Sequence, residues 1–247
     1  MSRILLLFVA LMVSFSSQGA ALYQFNVGMN WWQQDFNVTT GEVVTDTVSL
    51  QQDDVQKELV FGLEHPFLLL PNVKIATSDH SASGQELLTQ TFILSGQTYK
   101  VASDLAFDYQ FDQTNYTLYY EMFDNQLLEF DIGVTFKSID TQLTALNTLL
   151  PTEKSTRKAS GIESYLHSAG KVNLPLLNLS FAAELNAQSE DNFDAQVAIL
   201  YKLSWIPILQ PQIQLGWKKQ KLDLDDFDSL YIEHSWESVF AGVKLAF

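Results

Sequence analysis

Strict alternation of apolar and polar residues recurs about ten times along this chain, and a period of two places the apolar side chains on one face of a β-strand. Tyr23, Phe25, Val27, Met29 and Trp31 alternate with Gln24, Asn26, Gly28 and Asn30. Leu59, Phe61 and Leu63 alternate with Glu58, Val60, Gly62 and Glu64, and Val73, Ile75 and Thr77 with Lys74, Ala76 and Ser78. Tyr116, Leu118, Tyr120 and Met122 oppose Asn115, Thr117, Tyr119 and Glu121. The clearest run sets Leu128, Phe130, Ile132, Val134 and Phe136 against Glu129, Asp131, Gly133, Thr135 and Lys137. Five further strands follow, at 166–174, 179–186, 193–205, 213–217 and 239–247.

The connections between these segments alternate in length. Short turns fall at 65–72, 123–126, 175–178 and 206–211, and longer polar loops at about 36–56, 79–113, 138–163, 187–192 and 220–230. An even strand number, with short turns on one side and longer loops on the other, is the pattern of a closed antiparallel transmembrane β-barrel. Ten strands, short periplasmic turns and longer extracellular loops are expected, with eight or twelve strands as alternatives. Leu105, Phe107, Tyr109 and Phe111 also alternate, but out of phase with Tyr116, Leu118 and Tyr120. A one-residue shift flips the faces of a strand, so a bulge is expected near Gln113 with a hairpin standing above the membrane.

Arg3, the apolar run 4–13 and the small and polar stretch 14–21 read as a secretory signal peptide over 1–21, leaving a barrel domain over 22–247. The run is shorter than the roughly 20 apolar residues of a membrane helix. Removing the signal leaves 13 Lys and Arg against 29 Asp and Glu, a formal charge of −16, which disfavours nucleic acid as a partner. With no cysteine, neither disulfides nor thiol chemistry is available.

A soluble sandwich also alternates, so the apolar face needs an argument for lipid. Trp31, Trp32, Tyr120, Phe123, Tyr201, Trp205, Trp217 and Phe247 stand near strand ends, where aromatic girdles lie in membrane barrels. Opposite the apolar face lie Lys74, Lys137, Lys171, Lys202, Lys218 and Lys244, together with Glu58, Glu64, Glu121, Glu129, Asp131, Glu184 and Asp194. In a barrel these become a lumen of paired charges.

The last strand, Val239, Ala241, Val243, Leu245 and the final Phe247, resembles the β-signal that the outer-membrane assembly machinery recognises in bacterial porins. The opening strand with Trp31-Trp32, the turn from Leu63-Glu64-His65-Pro66 to Leu70-Pro71-Asn72-Val73-Lys74, Leu118-Tyr119-Tyr120-Glu121 before Phe123-Asp124-Asn125, and Asn173-Leu174-Pro175 are similar to an uncharacterised family of small gammaproteobacterial outer-membrane barrels. The resemblance implies a Gram-negative outer-membrane location, with lipid, lipopolysaccharide and the assembly machinery as partners, and it carries over no established activity.

Motifs for chemistry are sparse. No GxSxG, GxxxxGK[ST], HExxH or calcium-loop pattern occurs, so neither a cofactor nor a metal is expected. His65 falls in a turn, His167 on the lumen face, and His80 and His234 toward the loop side, each expected to be solvated or hydrogen-bonded. Asp79-His80 with Asp53-Asp54 and Asp225-Asp226 would suit a rim protease, and Asp79-His80-Ser81 or His234-Ser235 a lipid acylhydrolase. Solvated acidic loops account for the same residues. Glu42, Asp46, Glu190, Asp191, Asp223 and Asp228 extend that acidic set, which could share divalent cations with lipopolysaccharide phosphates, while Lys154, Arg157 and Lys158 form the one basic cluster. The expected role is a non-enzymatic barrel, either a narrow passage for small solutes or an envelope-structural protein. The alternatives are a surface-binding protein and an outer-membrane enzyme.

Overall fold

The computed structural model describes residues 23–43, 45–67, 69–203 and 209–247. The expected signal segment and Trp205 lie outside the described residues. Among the described residues twelve strands form: β1 Gln24–Val43, β2 Asp46–Glu64, β3 Asn72–Leu87, β4 Phe92–Leu94, β5 Gln97–Tyr99, β6 Asp104–Asp124, β7 Leu128–Asn147, β8 Lys154–Leu174, β9 Leu179–Ala187, β10 Phe193–Lys202, β11 Gln212–Leu224 and β12 Tyr231–Ala246. Ten of them close an antiparallel barrel in the order β1-β12-β11-β10-β9-β8-β7-β6-β3-β2, and β4 and β5 make a separate two-stranded sheet. Closure between β1 and β12 is sealed by paired backbone bonds between Phe25 and Phe247, whose rings stack at 6.1 Å. Closure leaves no edge strand, and a sandwich is thereby excluded.

The wall is uneven in height. β9 and β10 have 9 and 10 residues, about what a tilted strand needs to cross a bilayer. β6, β7 and β8 have 21, 20 and 21 residues, twice that length. Most of the expected long loops are therefore strand. Segments 36–56 and 138–163 are largely continuations of β1, β2, β7 and β8, and 79–113 holds the upper parts of β3 and β6 with the β4–β5 hairpin between them.

No bulge occurs near Gln113. β6 runs in unbroken register against β3 from Asn72↔Tyr119 to Leu87↔Asp104, and the shift against β7 falls between Glu121 and Phe123 instead. The change of phase in the sequence is an inversion of environment along a continuous strand. On the outward face of β6, Tyr116, Leu118, Tyr120 and Met122 are exposed, and above them Thr114, Asp112, Gln110 and Asp108 take over. On its inward face Thr117, Asn115 and Gln113 give way to Phe111, Tyr109, Phe107 and Leu105. β7 switches at the same level, from outward Ile132 and Phe136 to Ser138 and Asp140, and from inward Thr135 and Lys137 to Ile139 and Leu143.

Near the short turns the outside is thus an apolar belt, including Leu59, Phe61, Leu166, Phe181, Val197, Ile199, Ile213, Leu215 and Val243, which lipid solvates and water does not. At the tall end the outside is polar and the inside is an apolar core built from every barrel strand except β9 and β10, with Ala198 of β10 packed at its edge. Trp32 belongs to that core: it is 3% exposed and stacks on Trp236 at 5.4 Å, so it takes no part in a girdle, whereas Trp31 faces out. The β4–β5 hairpin roofs the core with Phe92, Leu94 and Tyr99. The Tyr99 hydroxyl donates to the Ala145 carbonyl, while the Ile93 and Ser95 amides donate to Asp46 and Glu42. Those two acids, expected as solvated loop residues, hold the roof.

Candidate functional site: the charged lumen

Below the aromatic core the inward face carries the ionisable residues, and ion pairs cross the lumen. Lys74 of β3 bonds Glu184 of β9, four strands away round the ring. Lys137 of β7 donates to Asp194 of β10 at 3.0 Å, and Lys218 of β11 to Glu58 of β2 at 2.5 Å. Lys171 donates to both oxygens of its neighbour Glu129 at 3.0 Å. Neutral groups complete the layer. Asn186 donates to Asp194 at 2.8 Å and accepts from Thr135 at 2.6 Å, and Gln220 reaches Gln113 on the opposite wall at 2.8 Å. His167 lies in the lumen, its Nδ1 2.8 Å from Asn186 Oδ1.

Side-chain exposure of these pairs falls from one end to the other: 26% and 34% for Lys171 and Glu129, 21% and 18% for Lys74 and Glu184, 10% and 6% for Lys218 and Glu58, 1% and 9% for Lys137 and Asp194. Water therefore enters from the short-turn end and is excluded toward the tall end. Asp131 and Lys244 line the same cavity. Two other expected lumen charges sit at its mouth: Lys202 is exposed and donates to Gln210 at 2.9 Å, and Glu121 is exposed and accepts from Asn72 at 3.1 Å.

Above the ion pairs, His80 and His234, expected to be solvated or hydrogen-bonded, are packed among rings and hydrogen-bonded, His80 Nε2 lying 3.3 Å from Ser78 Oγ and His234 Nε2 3.3 Å from Gln220 Nε2. His80 lies 5.5 Å from Phe36 and 6.0 Å from both Phe111 and Trp236. His234 lies 5.2 Å from Phe36 and 4.7 Å from Phe111. Both stand above the lipid-facing belt, where burial, then the ammoniums of Lys218 and Lys137, pulls His80 down to about 3. Burial likewise holds His234 well below the ordinary imidazole range. Asp79 and Ser235 are exposed on the outer face, because neighbours along a strand point opposite ways, so neither Asp79-His80 nor His234-Ser235 meets through its side chains.

The remaining expected groups are dispersed on the tall end. Arg157 donates to the Asp228 carbonyl at 2.6 Å, and Lys221 bonds Asp191. Burial, then Glu233 and Asp225, raises the Asp223 carboxyl, and burial with a bond to Glu233 pushes Tyr231 up to about 12. Among the described residues no trio of His, Asp or Glu converges to hold a metal ion. The aromatic layer was hidden from a reading of strand faces, which assumed one polarity for each face along its whole length. The out-of-phase Leu105 to Phe111 run was its signal.

No protein-family model and no curated protein matches the chain. Among solved structures it is similar to the outer membrane protease OmpT of Escherichia coli, at 7% identity with a TM-score of 0.56 over 94% of this chain and 100% of that one. The attachment invasion locus protein Ail of Yersinia pestis aligns at 8% identity and a TM-score of 0.36, over 91% and 99%. At such identity the likeness concerns the fold alone. The fold is that of an outer-membrane β-barrel, all-β, antiparallel and closed with ten strands.

Proposed function

We propose that this chain is a non-enzymatic outer-membrane protein that passes no solute and holds a rigid β-structured platform above the membrane, in an envelope-structural or surface-interaction role. The observation that carries this reading is the filling of the tall end by Trp32, Phe36, Tyr109, Phe111 and Trp236, packed from opposite parts of the wall above a layer of crossing ion pairs. A ten-stranded barrel is narrow, and side chains of this size occupy its bore. Burial of His80 and His234 within that packing supports a role without catalysis. In this reading the terminal strand Val239, Ala241, Val243, Leu245 and Phe247 engages the assembly machinery, and the polar outer wall meets lipopolysaccharide.

Conductance of the refolded mature chain in a planar bilayer tests the reading, with heat-dependent gel mobility showing that it is folded. The wild type is expected to be silent, and Phe36→Ala combined with Trp236→Ala to give discrete steps. Regular steps from the wild type would make it a small-solute channel.

A further inference from the structure

The four connections at the short-turn end present leucines where turns in water favour Gly, Asn, Asp and Ser. Leu69 is 88% exposed and Leu176 99%, and Leu127 and Leu209 give the other two turns an exposed leucine each. Phe67, Leu70 and Leu177 stand exposed beside them. In this strongly acidic chain the connecting segments 65–71, 125–127, 175–178 and 203–211 contain no Asp, Glu, Lys or Arg. Those of the tall end carry Glu153, Glu190, Asp191, Asp225, Asp226 and Asp228.

The backbone of these turns is the second observation. Pro66, Pro71, Pro175 and Pro211 bring no N–H group to them. His65 Nδ1 accepts from the Phe67 amide at 3.2 Å, which leaves its Nε2 to donate to the Pro71 carbonyl at 3.1 Å. Asn125 Oδ1 accepts from the amides of Leu127 and Leu128 at 2.9 and 3.0 Å. Neighbouring turns are also tied to one another and to the last strand. The Tyr120 hydroxyl donates to the Leu69 carbonyl at 3.3 Å, the Asn173 amide to that of Leu127 at 2.8 Å, the Lys202 amide to that of Asn178 at 2.8 Å, and the Ala246 amide to that of Leu209 at 3.2 Å. In water, solvent would supply such partners. Peptide groups placed in lipid must find them within the protein.

What covers this apolar crown follows from its border. A patch that docks a protein has a polar rim, whereas Phe123, Leu128, Val172 and Leu174 carry the crown directly into the lipid-facing belt. We infer that the four short turns insert into the membrane as an apolar anchor, with their leucine side chains among the acyl chains of the phospholipid leaflet on that side. In the orientation of the proposed function this is the periplasmic leaflet, and the anchor sets the height at which the tall end stands above the lipid. Insertion does not depend on whether the lumen conducts, so the two tests stand apart.

Because the chain has no cysteine, Leu69→Cys, Leu127→Cys and Leu176→Cys can each carry a nitrobenzoxadiazole dye in protein refolded into vesicles of phosphatidylcholine and phosphatidylglycerol. Leu149→Cys, at a tall-end turn where the leucine is 76% exposed, is the control. Heat-dependent gel mobility shows that each variant is folded, and three separate turns cover the failure of any one. Dyes at the three short turns are expected to emit further to the blue, to be quenched by a phospholipid bearing a doxyl group near the head of its acyl chain, and to be shielded from iodide supplied on both sides of the vesicle. The dye at 149 is expected to show the reverse. Iodide quenching at the short turns equal to that at 149 would overturn the inference by placing them in water, open to a periplasmic protein. Shielding from both quenchers would overturn it by placing them against a second copy of the chain.

Discussion

The two halves of this barrel solve opposite problems with the same strands. Near the short turns the outside is apolar and the inside is charged, with cations and carboxylates joined across the bore. At the tall end the outside is polar and the inside is an aromatic core like that of a water-soluble protein. The difference follows from the solvent each half meets. In lipid the hydrophobic effect gives no reason to bury apolar side chains inward, and polar groups retreat to the lumen. Above the lipid, water restores the usual arrangement. β6 and β7 carry both solutions in one continuous run of backbone, exchanging faces without a break in register at the crossing.

The largest effect that would sharpen this comparison concerns the ion pair just beneath the core. Lys137→Ala leaves Asp194 buried without its ammonium, a loss expected to cost about 3–5 kcal/mol in denaturant unfolding. Lys171→Ala, at the wetter end of the same lumen, is expected to cost about 1 kcal/mol or less, because solvent replaces the lost partner. Equal costs at the two sites would show that the lumen is uniformly wet, and the gradient from open to closed end would be lost.

Strand number and the polar inward face near the short turns could be read from alternation alone, because a ten-residue span has one lipid-facing side throughout. The tall end could not be read so simply. Leu105, Phe107, Tyr109 and Phe111 alternate as clearly as Tyr116, Leu118 and Tyr120, and period-two patterning reports which face is apolar, not whether that face meets lipid or a core. The same ambiguity placed Trp32 in a girdle and turned the upper parts of β1, β2, β7 and β8 into loops, since their outward residues are polar. Pairing across the lumen was beyond the sequence because it depends on which strands face one another after closure, as with Lys74 and Glu184.

The smallest effect concerns the outer face just above the belt. Asp79, Asp112 and Asp140 lie side by side on β3, β6 and β7. Burial, then the charges of Asp79 and Asp140, raises the Asp112 carboxyl above its ordinary value. A carboxyl raised in the folded state opposes folding above its folded pKa, and that opposition fades as pH falls through it. Asp112→Asn is therefore expected to stabilise the protein at neutral pH by about 0.5 kcal/mol, with the gain vanishing in acid. A variant less stable than wild type at neutral pH would mean that the row is bridged by a cation.

The inversion itself is tested most directly by labelling. The chain has no cysteine, so single cysteines from 107 to 120 along β6, each carrying a spin label, can be compared for collisions with oxygen in lipid and with a water-soluble nickel complex. The account predicts lipid contact at 116, 118 and 120, water contact at 108, 110, 112 and 114, and contact with neither at 107, 109 and 111. Lipid contact at 107, 109 and 111 would contradict it, because the strand would then carry a bulge and show its aromatic face to the membrane.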